Sequence, residues 1–308
     1  MNVNKVDNPD DGSFPGADGA VDGPTRVPAA LAPHVGFLVF AAFMHAQRTA
    51  VAALRGELHP RLLVVLRAID EGPISQGELG ARLDLGRTTM VGIVDALEAR
   101  RLVERRRDPA DRRAYQLVVT PAGAEALARF GPVLRRCEGE ILGRLSTDER
   151  ARLNELLRRL LAGFEDTRLP KSLMDRPGFL LARSHLRLRT EFERALEPAG
   201  IQARHFGALA ICAHTPGSQQ SLARELGVSG TIVVELVDAL EQRGLAERRQ
   251  NALDRRSYII APTAQGMAAL AHARGALAEI DDRIAGAVGG RDAFAELAAL
   301  LRKMLGVS

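Results

Sequence analysis

The sequence is poor in the residues that build covalent or metal frameworks. It has two cysteines, Cys137 and Cys212, and no CxxC pair. That rules out a disulfide scaffold and leaves a structural zinc site unsupported; the expected setting is a reducing cytoplasm. No two histidines stand at a close ligand spacing such as HxxxH, so no metal site is expected. There is no glycine-rich phosphate loop, no GxSxG and no His-Glu zinc signature, so neither an enzyme nor a cofactor is expected. Long apolar runs are scarce too. Residues 27–47 form an almost uncharged stretch long enough to suggest a membrane span, but Pro28, Pro33, His34 and Gly36 interrupt its first half. A helix buried on most of its surface, as at a dimer-like interface, is the expectation, and no membrane partner.

Charge is present but unevenly placed. The formal total is +4 over 308 residues. Residues 1–28 hold Asp7, Asp10, Asp11, Asp18 and Asp22 against Lys5 and Arg26, a net of −3, in a Gly- and Pro-rich context. They read as a disordered acidic leader and not as a secretory signal, which would begin basic. The remaining body is +7, a weak hint of nucleic acid by itself.

The informative feature is a repeat. Residues 75–123 align without a gap to residues 218–266; Ser75 matches Ser218 and Asp111 matches Asp254, each pair 143 residues apart. Two copies are too few for a solenoid and indicate two like domains in tandem. In each copy a helix ends at a Gly/Pro break, Gly72-Pro73 or Pro216-Gly217. Ser75 and Glu78 then suggest a capping box on a short helix. After a brief turn, a longer helix from about Arg87 turns Met90, Ile93, Val94 and Leu97 inward and leaves Arg87, Thr88, Thr89 and Gly92 outside. Two helices so closely joined make a helix-turn-helix. A hairpin follows, with Asp108-Pro109 at its turn and Tyr115, Leu117 and Val119 alternating on one face. Tyr115 and Tyr258 are expected to pack on the inner face of the wing, and both cysteines to be structurally buried.

These parts suit duplex DNA. A helix opening with small polar groups can enter the major groove, where each base pair presents its own donor and acceptor pattern. A hairpin tipped by Arg112 and Arg113 can set guanidinium groups on phosphates or in the minor groove. Asp111 would be repelled by phosphate, so it and Asp254 are read as braces for the wing.

With those residues in view, both halves resemble the MarR family of winged helix-turn-helix transcription regulators, from about residue 33 to 164 and from 178 to 305. The likeness is strongest in ELGARLDLGRTTMVGIVDALEARRLVERRRDPADRRAYQLVVTPAG. It implies a mainly α fold with small β-hairpin wings: two winged helix-turn-helix domains joined through interleaved N- and C-terminal helices as an intramolecular pseudo-dimer. The expected division is a leader at 1–28, domains at 29–165 and 178–308, and a polar linker at 166–177. The implied function is sequence-specific regulation, as a repressor, by a cytoplasmic and nucleoid-associated protein that binds double-stranded DNA. It would act as a monomer that serves as its own dimer. The alternative is an interaction or ligand-sensing protein whose second half has weakened or lost DNA binding. Candidate DNA contacts are Arg87, Thr88, Thr89, Arg105, Arg106, Arg112 and Arg113 in the first half, and Thr231, Arg248, Arg249, Arg255 and Arg256 in the second. Many members also bind small aromatic or phenolic ligands beside the dimerisation helices and then release DNA; His45 and Arg48 are the first candidates to line such a site.

The likeness has two departures. Arg101 stands where the family usually has glycine, whereas the second half keeps Gly244. A positive φ there would cost arginine about 1 kcal/mol. The family commonly has a long donor one turn into the recognition helix; here the positions hold Gly92 and Glu235, and the second helix opens Gly230-Thr231-Ile232 without a basic residue. Unequal reading of DNA by the two halves is therefore expected.

Overall fold

The computed structural model describes residues 27–109, 111, 113–164, 169–251 and 257–307. The leader as far as residue 26, and Arg112, Asp254, Arg255 and Arg256, lie outside the described residues. The first half runs α1 (Val35–Leu54), α2 (Pro60–Ile69), β1 (Ile74–Ser75), α3 (Gln76–Leu83), α4 (Arg87–Ala99), β2 (Val103–Arg107), β3 (Tyr115–Val119), α5 (Pro121–Ile141) and α6 (Thr147–Phe164). The second runs α7 (Pro177–Leu196), α8 (Ala203–His214), α9 (Gln219–Leu226), α10 (Gly230–Gln242), β4 (Ala246–Gln250), β5 (Tyr258–Pro262), α11 (Ala264–Val288) and α12 (Arg291–Leu305).

Local chemistry sets the helix starts. Ser75 Oγ accepts the Glu78 N–H at 3.2 Å, but Glu78 does not complete the expected capping box, because its carboxylate takes Arg82 at 2.6 Å. Ser146 and Glu149 do complete one, at 3.2 and 2.7 Å. Thr120 accepts the Gly123 N–H at 3.1 Å and donates to the Arg101 carbonyl at 2.6 Å. Thr263 repeats both bonds with Gly266 and Gly244. A Cβ on Gly123 would stand 2.1 Å from the Leu102 carbonyl oxygen, and one on Gly266 1.8 Å from that of Leu245. The Thr-x-x-Gly spacing is thus what lets the helix after the wing press against the start of the wing's first strand.

By contact the chain forms two compact units, whose boundaries fall inside α7 and α11. One comprises the described residues of 27–33 and 193–276 and contains the second winged helix. Its β4 and β5 pair antiparallel, and Phe206, Leu209, Leu222, Val233, Val237 and Ile260 are buried. Gly217 makes only an isolated bridge to Ile260.

The other unit comprises His34–Phe192 and Leu277–Ser308. It holds the first winged helix, whose sheet has the order β1–β3–β2, with Ile74 opposite Leu117. Leu66, Leu79, Met90, Val94, Leu97 and Leu117 form its core. Leu173 and Phe179 join that cluster, and the Ser172 N–H donates to Glu71 at 2.6 Å. The segment expected to be a polar linker therefore also closes the first core. Helices of both halves interleave in this unit: α1 packs on α5 and α12, and α12 packs on α6. Lys303 reaches Glu149 at 2.6 Å and Arg152 pairs with Glu296 at 2.7 Å. Gly163 meets Ala287 so closely that a Cβ there would lie 2.4 Å from the alanine Cβ. By length and composition α1 could cross a membrane; in this fold only its Ala52 and Ala53 are exposed, the rest being buried or half-buried.

Candidate nucleic-acid interface

Each recognition helix is fixed from below by four apolar side chains at helical spacing. In α4 they are Met90, Ile93, Val94 and Leu97; in α10 they are Val233, Leu236, Val237 and Leu240. Outside, α4 exposes Arg87, Thr88, Val91 and Gly92, with Thr89 half-buried. The α10 face exposes Thr231, Val234 and Glu235, with Ile232 half-buried. Ser229 caps α10 by accepting the Ile232 N–H at 3.4 Å, whereas Gly86 gives α4 no side-chain cap.

The wings are tied to these helices by a cluster that appears in both halves. Arg105 donates to Glu98, to Asp95 at 3.1 Å and to Gln76 at 3.2 Å. Arg248 donates to Glu241 and to Asp238 at 2.6 Å, and its backbone N–H reaches Glu241 at 2.8 Å. Arg105 and Arg248, both candidate DNA contacts, span from the first wing strand to the recognition helix and neutralise two carboxylates on its outer side. These bonds hold each guanidinium in place beside the helix. Arg106 and Arg249 are more available. They are 64% and 58% exposed and rest on the same-strand neighbours Glu104 and Glu247. Such open pairs are worth little and exchange readily.

At the first tip, Asp111 accepts the backbone N–H of Arg113 at 2.9 Å, so it braces the main chain of the turn. The exposed side chain of Arg113 lies at this tip. The tyrosines do not pack inward: Tyr115 is 51% and Tyr258 57% exposed. Each sits at the outer end of its strand, opposite Arg107 or Gln250, while Leu117 and Ile260 two residues on take the buried places. Arg101 does adopt a left-handed backbone, with φ +57°, matching +67° at Gly244.

His45 and Arg48 are half-buried on α1. Burial, then Arg48 and Arg144, lowers the pKa of His45; burial alone lowers that of Arg48. On the same helix Phe40 and Phe43 both lie 5.1 Å from the ring of His185 on α7, the second nearly parallel to it. Burial holds His185 down at about 3, so this is a neutral imidazole among aromatic rings. Both cysteines are buried, and burial raises their thiols, Cys212 to about 11, which disfavours the nucleophilic thiolate. Among the described residues no group of three or more His, Cys, Asp or Glu side chains could hold a metal.

Two copies of one helix-turn-helix and braced wing, in one chain, can be compared with known proteins. The MarR family model matches residues 59–114 and again 199–257. Over 117 residues the chain is 36% identical to a protein described as a transcriptional regulator for the hcr operon of Thauera aromatica. That match covers 38% of this chain and 69% of the relative. The chain belongs to the MarR family. The transcriptional repressor NicR of Pseudomonas putida is 36% identical over 32% of this chain, and the match spans 61% of NicR, less than two thirds of its length. Among solved structures, CouR of Rhodococcus jostii RHA1 bound to p-coumaroyl-CoA is 30% identical, over 37% of this chain and 80% of CouR, with a TM-score of 0.35. CouR on a 23-mer DNA duplex is 34% identical, over 35% and 77%, with a TM-score of 0.33. MarR proteins are transcription regulators and not enzymes. In this MarR chain the residues missing from the sequence reading are Asp95, Glu98, Asp238 and Glu241, and the exposed Val91 and Val234. The acidic four are legible as two repeated pairs one turn apart; the valines are apolar residues outside the inward-facing set, and spacing alone assigns them no role.

Proposed function

We propose that this protein is a sequence-specific repressor that binds double-stranded DNA in the cytoplasm, at the nucleoid, with one chain supplying both halves of a two-fold reader. The observation that carries this reading is the repeated cluster in which Arg105 or Arg248 locks the wing to the outer side of α4 or α10. Such a cluster orders a helix and a hairpin together, as simultaneous groove and backbone contact requires. Repression follows the role of the relative NicR, a transcriptional repressor. Two-fold readers commonly engage half-sites about one helical turn, ~34 Å, apart. Selection from a random duplex pool, followed by sedimentation of the complex, tests this: one chain per two-part site is expected, and a site that needs two chains would overturn it.

A small aromatic or phenolic ligand is the proposed signal for release. Its support is the family likeness and the aromatic and cationic groups on α1, with His45 and Arg48 as lining. A panel of phenols and aromatic carboxylates should contain members that both raise the melting temperature and weaken the DNA complex; a panel that moves neither removes the proposal. The exposed Glu235 favours a second reading, in which the second half holds DNA weakly or not at all.

A further inference from the structure

Among the described residues the large apolar side chains left exposed are Val91, Tyr115, Val234, Tyr258 and Met267. Four of these five are two repeat-equivalent pairs. Val91 and Val234 are 39% and 43% exposed, on the outer faces of α4 and α10. Each stands one turn after a threonine, Thr88 or Thr231, and one turn before an aspartate held by the wing, Asp95 or Asp238. A single exposed valine is ordinary. Here, however, three neighbouring positions differ between the halves, Arg87 against Gly230, Thr89 against Ile232 and Gly92 against Glu235, while the valine, like the threonine before it, is the same. Helix formation does not ask for it, since a β-branched side chain is a poor choice for an exposed helical site. Its restricted rotamers do suit a fixed contact that costs little side-chain freedom.

Resting on the DNA-binding reading above, we infer that Val91 and Val234 each pack on the 5-methyl group of a thymine, one in each half of the operator. In the major groove the thymine methyl is the one apolar group a base pair offers, and a side chain without donor or acceptor can distinguish bases only through it. The two halves thus share an apolar contact beside a common threonine and differ at the neighbouring positions, so the operator carries a thymine at matching places in two unlike half-sites.

The test uses the selected operator with thymines replaced one at a time by deoxyuridine, which removes only the methyl group. Wild-type protein should bind about four-fold more weakly when the matching thymine of either half is replaced, the worth of one buried methyl group. Val91→Ala should lose the response in one half and Val234→Ala in the other. A wild-type protein that binds the fully uracil-substituted operator as tightly as the thymine form overturns the inference while leaving DNA binding intact. Failure to select any duplex overturns the DNA-binding reading itself, and the inference with it.

Discussion

The two recognition helices stand on the same supports and offer different chemistry. Beneath α4 and α10 the four buried apolar positions match one for one, and each wing is held by an arginine between an aspartate and a glutamate. On the outer face, α4 opens with Arg87 and Thr88, and α10 with Gly230 and Thr231. One turn on, Gly92 leaves a gap where Glu235 projects a carboxylate. The parts that position the reader are duplicated; on the reading face only the threonine and the valine are, and the rest differs. Holding DNA and choosing a sequence can therefore be separated within one chain by paired substitutions.

The largest effect is expected from the wings. Arg112→Ala with Arg113→Ala, and separately Arg255→Ala with Arg256→Ala, should each weaken binding more than ten-fold. Each pair should also reduce the log–log salt slope by about 0.9 per lost phosphate contact. Equal slopes lost in the two variants would mean that both halves grip the backbone alike; an unchanged slope in either limits those arginines to the wing's own structure.

Next comes the cluster. Arg105→Ala frees Asp95 and Glu98, and Arg248→Ala frees Asp238 and Glu241, to face phosphate uncompensated. Both variants should lose affinity by about ten-fold, within the worth of a charged pair broken at an interface, with far-UV circular dichroism unchanged. A loss confined to Arg105→Ala would show that only the first half engages DNA.

Sequence preference should then divide the halves. Arg87→Ala is expected to flatten the base preference of one half-site by about 1–3 kcal/mol per affected pair. Selected sites that are good palindromes would contradict it.

Backbone strain gives a smaller contrast. Arg101 holds the left-handed conformation that Gly244 adopts freely. Arg101→Gly should raise stability in urea by about 1 kcal/mol, the relief of that strain. Gly244→Arg should lower it by at least as much, since a Cβ there meets Gln265 Oε1 at 3.0 Å. No gain from Arg101→Gly would mean that the arginine side chain compensates for its backbone.

Arg101 also shows what the sequence could carry. Its positive φ follows from the alignment with Gly244, because a chain reversal needed at one copy is needed at the other. The inward faces of α4 and α10 follow from spacing alone, and the helix start at Ser75 from its capping residue. The tyrosines were misread because alternation gives the face of a strand but not how far the core extends beneath it; Tyr115 lies beyond its end. Arg105 shows a related limit. A basic residue on a wing looks like a phosphate contact until the carboxylates one strand and one helix away are placed beside it. The entry of Leu173 into the first core had no periodic signal, since a single turn displays none.

The smallest expected effect bears most directly on the comparison. Glu235 is exposed one turn into α10, and among the described residues it makes no ion pair. A glutamate there can do two opposite things. Facing a base edge it accepts from a cytosine amino group and adds preference; near phosphates it repels them. Unlike Asp238 and Glu241, it has no arginine to neutralise it, so repulsion should dominate. At about 4 Å in water two like charges cost about 1 kcal/mol, and salt at 0.1 M screens them over about 10 Å. Glu235→Ala and Glu235→Gln should therefore both tighten binding, by about two- to five-fold at low salt. The gain should shrink as salt rises, and the selected consensus should not change. Gln keeps the size and hydrogen-bonding capacity of Glu, so an equal gain in both variants assigns the effect to charge. If instead either change abolishes preference at a cytosine and weakens binding, α10 reads its half-site as fully as α4 does, and the two halves differ in sequence choice but not in strength.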